Sequence, residues 1–289
     1  MLPYDTQVVF IYIAFFTEFL YISLMEFRVK NIVVCVALLF SFASDISAAD
    51  TQPFQWQIGQ ELTYKVKYTF IRLGTLRLVV QDTTTRDGVL LYHTKLHVDS
   101  NPMIFFVNMH NVYESYIDEQ MRVHLFLADE KIDDVPYKAE YVFDYEDSLI
   151  HQNYTNMKEP DKTIVRQVPL DGRIMDGANL IFYARYRSHD VYRDTVMSIY
   201  EADKGSVCIN FRGEHENEIK IGAVEERQRT YYVDGSVEME ALAGLTGPFE
   251  GWFSKDSSRV PLKAKLKVFI GHVSLELESW ENWSPPLFK

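Results

Sequence analysis

From residue 60 onward, hydrophobic and polar residues alternate with a period of two, which is typical of half-buried β-strands. The first run covers residues 62–70, with lysines and threonines on its polar face. Turn signals such as Asp87-Gly88 and Asp234-Gly235 separate runs that lie roughly ten residues apart, which favours consecutive antiparallel hairpins. The other alternating runs are residues 76–80, 90–98, 121–127, 137–143, 207–211, 219–223, 237–241, 260–270 and 273–277.

One segment departs from this pattern. Residues 176–187 place Leu180, Ile181 and Ala184 at helical spacing, with Asp176 as a suitable N-cap and arginines at the far end. These features predict one short helix. The polar stretch at residues 145–169 is predicted to be the least ordered part of the chain and to mark its midpoint.

The order of these elements predicts the fold class. No strand–helix–strand rhythm is present, which excludes a parallel Rossmann-like sheet. We predict an all-β, mainly antiparallel fold, in which a strongly curved sheet forms a barrel or half-barrel around one short central helix, because long sheets twist and curl. No flexible linker divides the chain, so residues 50–289 are predicted to form a single β-rich domain whose two β halves join near residues 145–190.

Residues 25–49 have the three parts of a signal peptide for export. Arg28 and Lys30 precede an apolar run at residues 32–42, and Ser47 and Ala49 are small residues before a cleavage position at Asp50. The apolar run is too short for a permanent membrane anchor. The sequence therefore predicts an exported protein that begins at Asp50.

The residues before Met25 do not fit this signal. They contain no Lys or Arg, and they include Asp5 and Glu18. We interpret residues 1–24 as an N-terminal extension upstream of the true start at Met25. The alternative is a second membrane segment at residues 7–24, which would lack basic flanks and would place Glu18 in lipid.

The net charge argues against nucleic acid as a partner. The chain has 41 acidic and 29 basic residues, a formal net charge of −12. Four acidic and two basic residues precede Asp50, so the predicted mature chain carries −10. Such a surface repels nucleic acid at long range. Cys208 is the single cysteine after Asp50, so the mature chain has no intramolecular disulfide.

Four sequence landmarks occur in order along the chain. They are IGQELTY at residues 58–64 with Gly74 after it, FYAR at residues 182–185, GWFSKD at residues 251–256, and RVP at residues 259–261 with Gly271 after it. Their order and spacing resemble a bacterial exported family known as domain of unknown function 3108, over about residues 55–280. The resemblance implies a β-rich Gram-negative envelope protein of the periplasm or outer-membrane periphery. It implies no activity and no catalytic residues.

The physical character of these landmarks favours a structural corner. Gly59 and Gly74 suit tight turns or a close backbone approach. Trp252 has a large ring and an N–H group that needs a partner. Asp256 and Arg259 are three residues apart around a turn and are positioned to pair across it. The alternative is that this cluster lines a ligand site.

No sequence motif indicates an enzyme. A phosphate loop, a dinucleotide fingerprint, a nucleophile elbow and a zincin helix are all missing, so we predict no catalytic residues, no metal and no cofactor. The segment HENE at residues 215–218 lacks a second histidine, and an exposed polar strand face explains His93 and His97. We interpret the adjacent carboxylates as parts of solvated loops. These pairs are Asp129-Glu130, Asp133-Asp134 and Glu225-Glu226.

Residues 102–109, PMIFFVNM, form an apolar segment that interrupts the alternation. It is either a buried strand or a flexible apolar lip, and Met and Phe suit acyl chains. The first hypothesis is a non-enzymatic envelope protein that binds a lipid or another hydrophobic molecule on its concave sheet face. The predicted lining residues are Tyr64, Tyr68, Phe105, Phe106, Leu180, Ile181 and Trp252.

Two other hypotheses stay open. One is a structural or interaction module in envelope assembly, with a filled interior and an envelope protein as its partner. The other is a polysaccharide hydrolase, which needs two carboxylates that face each other in a cleft. The sequence identifies neither the ligand nor the oligomeric state.

Overall fold

The described residues form one sheet of fifteen strands, which contains most of the alternating segments. The computed structural model describes residues 52–104, 108–132, 134–200, 203–238, 246–267 and 271–286. The strands are β1 (Glu61–Tyr68), β2 (Ile71–Arg86), β3 (Val89–Ser100), β4 (His110–Ile117), β5 (Val123–Ile132), β6 (Val135–Asp144), β7 (Leu149–Asn156), β8 (Ile164–Pro169), β9 (Ile174–Met175), β10 (Val191–Tyr200), β11 (Asp203–Glu214), β12 (Thr230–Val237), β13 (Gly247–Ser254), β14 (Pro261–Lys267) and β15 (His272–Glu281). Helix α1 spans Gly177–Arg187, and a 3₁₀ turn spans Pro160–Lys162.

Several expectations concern residues outside these ranges. They are the extension at residues 1–24, the signal peptide at residues 25–49, and the apolar residues Phe105 and Phe106. The ends of two predicted runs, at residues 239–241 and 268–270, also lie outside the described residues. These expectations stay predictions.

The strands follow one another across the sheet almost in chain order. Their spatial order runs from β8 down to β1, and then from β15 down to β9. The first and last strands therefore pair at the centre of the sheet, while the two-residue β9 pairs parallel with β10. The prediction of a curved, mainly antiparallel sheet with one short helix is confirmed. The sheet stays open, with β8 and β9 as its edges.

Helix α1 lies against the core side of the sheet, near one end of the strands. Asp176 caps it, as predicted, and accepts two backbone N–H groups of the first turn at 2.8 Å. Asn179 donates to Met121 O in the β4–β5 turn, and Arg185 donates to Ser258 O in the β13–β14 turn. We call this end, which holds those turns and the start of β1, the helix end. The opposite end, which holds the β1–β2 turn and the start of β15, is the loop end.

In β1, β2, β3, β14 and β15, apolar residues of the core side are buried at the helix end and half-buried nearer the loop end. In β2, Leu78 is fully buried, whereas Leu76, two residues nearer the loop end on the same face, is half-buried. Neighbouring strands show the same decrease in burial, with the first residue of each pair buried and the second half-buried. The pairs are Tyr64 and Val66 in β1, Leu96 and Val98 in β3, Leu262 and Ala264 in β14, and Leu277 and Leu275 in β15. The interior is packed beneath α1 and becomes more open away from it.

The Asp234-Gly235 pair does not form the predicted turn. Both residues lie inside β12, where Gly235 pairs with Phe249 of β13. A Cβ at Gly235 would lie 2.1 Å from Cys208 O and 2.6 Å from the Phe249 ring, so the glycine makes room for that ring. An aromatic ring over a strand glycine restores packing that the glycine itself cannot supply.

Two further strand predictions were wrong. Residues 145–169 are not the least ordered part of the chain, because they contribute β7, the 3₁₀ turn and β8. The edge strand β8 is exposed except at Val168, which packs against the core, so no hydrophobic period marks it. Residues 219–223 form no strand, and an isolated bridge joins Ile219 to Gln228 within a loop. Gly222 and the flanking charged residues favour the loop.

A β-bulge changes the inward face of β5. The alternation predicted Leu125 and Leu127 on the core side, but Phe126 and Ala128 occupy it. The register between β4 and β5 shifts at this point and leaves His124 as an extra residue. One extra residue exchanges the two faces of a strand.

Candidate functional site

The structure brings part of the predicted ligand lining into one interior. Tyr64 belongs to the buried core, and Leu180 and Ile181 of α1 are half-buried and pack against that core. Tyr68 lies at the loop end of β1, where it pairs with Val273 of β15 and is half-buried. These four residues line the core side of β1 and the helix that faces it.

Trp252 lies apart from the other predicted lining residues. Its ring is 5.4 Å from that of Tyr232, which is its register partner, and 6.2 Å from that of His215. The neighbouring Phe253 of β13 packs into the core. Because successive side chains of a strand point to opposite faces, Trp252 lies on the outer face of the sheet. There it packs beneath the Lys265 ammonium, 5.4 Å from its ring centre.

Both predicted corner glycines meet a physical requirement. Gly59 has φ +76° in the turn before β1, and its carbonyl accepts from Asn282 Nδ2 at 2.7 Å. Gly74 lies inside β2, where a Cβ would be 2.2 Å from Asp99 O of β3. The first glycine permits a turn, and the second permits a close approach of two strands.

Asp256 and Arg259 do not form the predicted side-chain pair. The Asp256 carboxylate caps its own turn by accepting the backbone N–H of Arg259 at 2.8 Å, and it also accepts from Trp283 Nε1 at 2.8 Å. The Arg259 guanidinium instead donates to Tyr186 O at 2.6 Å and to Gln52 O at 2.8 Å. In this tight turn Arg259 has φ +44°, and its side chain is buried beside α1.

Arg185 is the functional candidate that the sequence prediction missed. It is 1% exposed, on the same buried side of α1 as Phe182. Nη2 donates to Gln60 Oε1 at 2.6 Å and to Ser258 O at 2.8 Å. Burial lowers the pKa of Arg185 to about 10, so the side chain stays charged at neutral pH. Its spacing of three residues from Phe182 is the signal that places it on the buried stripe of the helix.

The two buried guanidiniums face the same aromatic ring. Those of Arg185 and Arg259 lie 5.6 Å and 5.9 Å from the centre of the Phe54 ring. Burial lowers the pKa of each guanidinium, and nearby groups oppose this effect, with Tyr64 and Asp256 acting on Arg185 and Tyr231, Asp190 and Asp256 among those acting on Arg259. We call this group, Gln60, Tyr64, Arg185, Asp256 and Arg259, the arginine corner.

Three polar atoms of the arginine corner have no hydrogen-bond partner among the described residues. They are Gln60 Nε2, Tyr64 Oη and Arg185 Nη1, on side chains that are at most 3% exposed. A guanidinium only donates, so Gln60 must present its oxygen to Arg185 and its NH₂ group elsewhere. Burial raises the pKa of Tyr64 well above its usual range, although the charge of Arg185 opposes this, so its hydroxyl stays protonated. The corner therefore offers three donor groups to an acceptor.

A comparison with known families identifies the type of chain. A model described as "Protein of unknown function (DUF3108)" matches residues 63–278. The chain belongs to this family. The match confirms the resemblance seen in the sequence landmarks. It includes Tyr64, Arg185, Asp256 and Arg259, and it begins after Gly59 and Gln60.

A solved structure has a similar fold. It is described as "Crystal Structure of Beta-barrel-like Protein of Domain of Unknown Function DUF1849 from Brucella abortus". The TM-score is 0.52 over 78% of this chain and 98% of that chain, at 7% sequence identity. At this identity the likeness concerns the fold alone. No curated protein matches the chain. Within the described ranges of this DUF3108 protein, no helix is both long and apolar enough to cross a bilayer.

One of the two histidines predicted on an exposed polar face is buried in this DUF3108 protein, whereas His97 is half-exposed. His93 is buried and not exposed, because its Nε2 contacts Glu114 at 2.6 Å and its ring stacks on Tyr116 of β4. Its Nδ1 lies 3.2 Å from Asp82. The two carboxylates meet opposite sides of the ring, so they do not converge on one point. The described residues contain no group of three or more His, Cys, Asp or Glu that suits a metal ion.

The adjacent carboxylates also divide between environments. Glu130 is 3% exposed on β5, whereas Asp129 faces solvent, so the prediction of a solvated pair is wrong for Glu130. Alternation along the strand separates the two acids. Glu225-Glu226 is exposed, Asp134 is exposed, and Asp133 lies outside the described residues. Among the described residues, none of these neighbouring pairs places two carboxylates together in the interior.

Proposed function

We propose that this protein is an exported, non-enzymatic envelope protein that binds a hydrophobic ligand on the loop-end half of its concave sheet face. The observation that carries the proposal is the change in burial along the strands. Apolar residues of the core side are covered at the helix end and only half-covered at the loop end. At half-exposed apolar surface inside a curved sheet, a hydrocarbon chain can bind because leaving water lowers its free energy.

Small residues are frequent at one level of the core side, between the helix end and the loop end. One row across the sheet joins paired positions of five neighbouring strands. Its members are Gly74, Val66, Leu275, Ala264 and Gly251. Val66, Ala264 and Leu275 are half-exposed, whereas the two glycines are buried, with Gly74 close to the β3 backbone and Gly251 close to the Phe253 ring. This row, which we call the small-residue row, is the proposed floor of the ligand site.

Export is supported by the order of charged, apolar and small residues in residues 25–49. The described chain also contains one cysteine, Cys208, whose sulfur accepts from Arg193 Nε at 3.1 Å. The absence of an intramolecular disulfide is compatible with an exported domain of this size, because a large core suffices for stability.

Native mass spectrometry of protein purified from membranes tests the ligand proposal. We expect a bound lipid or fatty species on the wild-type protein, and its loss from the variant Ala264→Trp, whose ring fills the small-residue row. Lys263→Trp is the matched control, because Lys263 pairs with Trp252 on the outer face. A bare protein mass, with no uptake of added lipid by the wild type, would contradict the proposal.

One observation favours a second candidate function, an interaction module of envelope assembly. The edge strand β8 is exposed, with Val165 72% and Ile164 44% accessible, and it pairs with β7 alone. Such an edge accepts an added strand from another protein. A photo-crosslinking residue at Val165 should then capture a partner in cells, whereas one at the exposed Thr83 of β2 should not. Equal capture at both positions would reject this candidate.

A further inference from the structure

The arginine corner carries more buried positive than negative charge. Arg185 and Arg259 are both at most 2% exposed, and each donates only to neutral oxygens of carbonyl or amide groups. Asp256 acts on both of them, although its oxygens are occupied by the turn and by Trp283, and Asp190 also acts on Arg259. Just beyond it, Arg187 and Asp190 pair with each other at 2.9 Å. The corner therefore has an excess of one positive charge, and buried charges are ordinarily paired.

The unpaired hydrogen-bond donors beside these arginines also require an acceptor. Gln60 Nε2, Tyr64 Oη and Arg185 Nη1 are buried without acceptors among the described residues. A buried donor that makes no hydrogen bond costs free energy, and a charged one costs more. A monoanion with two oxygen atoms answers both requirements, because it supplies the missing negative charge and several lone pairs.

Tyr64 connects the corner to the proposed hydrophobic site. It belongs to β1 and pairs with Leu76 of β2 and Leu277 of β15. Val66, the next residue on its strand face, belongs to the small-residue row. From Tyr64 to the loop end of β1 at Tyr68 the strand rises by about 13 Å, so a hydrocarbon chain that starts beside Tyr64 reaches the open loop end within that distance.

We propose that the ligand is a fatty carboxylate, whose acid group binds Gln60, Tyr64 and Arg185 and whose hydrocarbon chain runs along β1, over the small-residue row, toward the loop end. This inference rests on the proposed function and specifies its ligand. A neutral lipid would bury the chain but leave the excess charge and the three donors unsatisfied. A phosphate dianion would exceed the single excess positive charge.

The first test compares [1-¹³C]oleic acid with methyl oleate, which has the same chain without the charge. We expect delipidated protein to bind the acid at least about tenfold more tightly than the ester, the value of one charge-assisted hydrogen bond. The ¹³C signal of the bound acid should stay that of a carboxylate as the pH falls from about 8 to about 5, because Arg185 lowers its pKa.

The second test uses variants that separate binding from folding. Tyr64→Phe removes a hydroxyl that has no partner, so the unliganded protein should keep its stability while oleic acid binding weakens about tenfold. Tyr145→Phe is the matched control, because the Tyr145 hydroxyl already donates to Val123 O at 2.8 Å. Arg185→Met should abolish the preference for the acid, and Tyr64→Phe keeps the test valid where Arg185→Met fails to fold.

The outcomes distinguish this inference from the proposed function. If neither oleic acid nor methyl oleate binds, both proposals fall. If both bind equally, and Tyr64→Phe leaves both affinities unchanged, the hydrophobic site stands and the carboxylate assignment is wrong. A crystal structure with oleic acid that shows only water at Arg185 Nη1 would also overturn the assignment.

Discussion

The two ends of the concave face are built from the same strands, yet they are covered to different degrees. At the helix end, α1 and the N-terminal aromatic residues lie over the sheet, with Trp56 stacked 4.4 Å from Tyr92 and 5.3 Å from Phe182. At the loop end, residues of the same apolar pattern, such as Val66 and Leu275, are half-exposed. Strand periodicity therefore determines which face of the sheet is apolar. The elements packed over that face determine which part of it is shielded from water.

The ends also differ in their polar and exposed residues. The helix end buries Asp176 and Arg185, and each has defined hydrogen bonds. The loop end exposes Phe70 and Met103, each 88% accessible. Buried charges with fixed partners favour a single arrangement of the side chains. Uncovered apolar groups can instead contact a ligand or the surface of another molecule.

The largest expected difference comes from two leucines on one strand. Leu78→Ala removes a fully buried side chain and should lower the free energy of unfolding by about 3 kcal/mol, while Leu76→Ala should cost about 1 kcal/mol because its site is already partly open. Urea unfolding followed by fluorescence measures both values. Equal costs would mean that the two ends are packed alike.

The next effect concerns the pH dependence of the helix end. Burial raises the pKa of Asp176 to about 6, against about 3.9 in an unfolded chain. The folded state therefore binds more protons between about pH 4 and 6, so this residue's contribution to stability rises by about 2–3 kcal/mol as the pH falls through that window. Above about pH 6 this contribution is lost.

The variant Asp176→Asn isolates this contribution from that of other carboxyls. The difference in unfolding free energy between wild type and Asp176→Asn should change in favour of the wild type as the pH falls from about 6.5 to 4. Asparagine keeps the capping oxygen, so the variant should fold. If this difference in unfolding free energy did not depend on pH, the Asp176 carboxyl would be better hydrated than its burial indicates.

A smaller contrast is expected when alanines are enlarged. Ala178→Leu, at a position of α1 that is 2% exposed, should destabilise the protein by about 1–3 kcal/mol through overpacking. Ala264→Leu in the small-residue row should change stability by less than about 0.5 kcal/mol, because the added methyl groups enter open space. Thermal unfolding of the two variants gives the comparison, and a large loss from Ala264→Leu would indicate a filled loop end.

The smallest effect is expected at the exposed end of the first hairpin. Phe70→Ser should alter the unfolding free energy by less than about 0.5 kcal/mol, because the ring is already in water. It should nevertheless slow the uptake of a fluorescent fatty acid if the loop end is the entrance. Stopped-flow mixing measures that rate, and an unchanged rate would place the entrance elsewhere.

The sequence predicted the parts of the fold that have a clear local signal. Period-two alternation and the Asp87-Gly88 turn located β1–β3, and the Asp176 cap with its apolar spacing located α1. It failed where tertiary packing decides. The Asp234-Gly235 pair has turn chemistry, but the Phe249 ring over Gly235 stabilises a strand there.

The candidate site was harder to predict than the fold. Arginines at the end of a helix ordinarily complement the helix dipole in solvent, so the sequence pattern does not predict that Arg185 is buried. Its burial depends on Gln60 and Ser258, which are distant in sequence and meet it only when β1 pairs with β15. Trp252 shows the reverse case, since a residue type that suits a ligand site lies on the outer face.

The central pairing of β1 also affects how the polypeptide folds. Glu61 is joined to Val79 on one side and to Glu281 on the other, so its two neighbours lie 18 and 220 residues away along the chain. A topology with such high contact order folds slowly, because the chain loses the entropy of a long loop before the contact stabilises it. Under the proposed export, a protein whose central pairing forms late would stay unfolded for longer while a translocase carries it across the membrane.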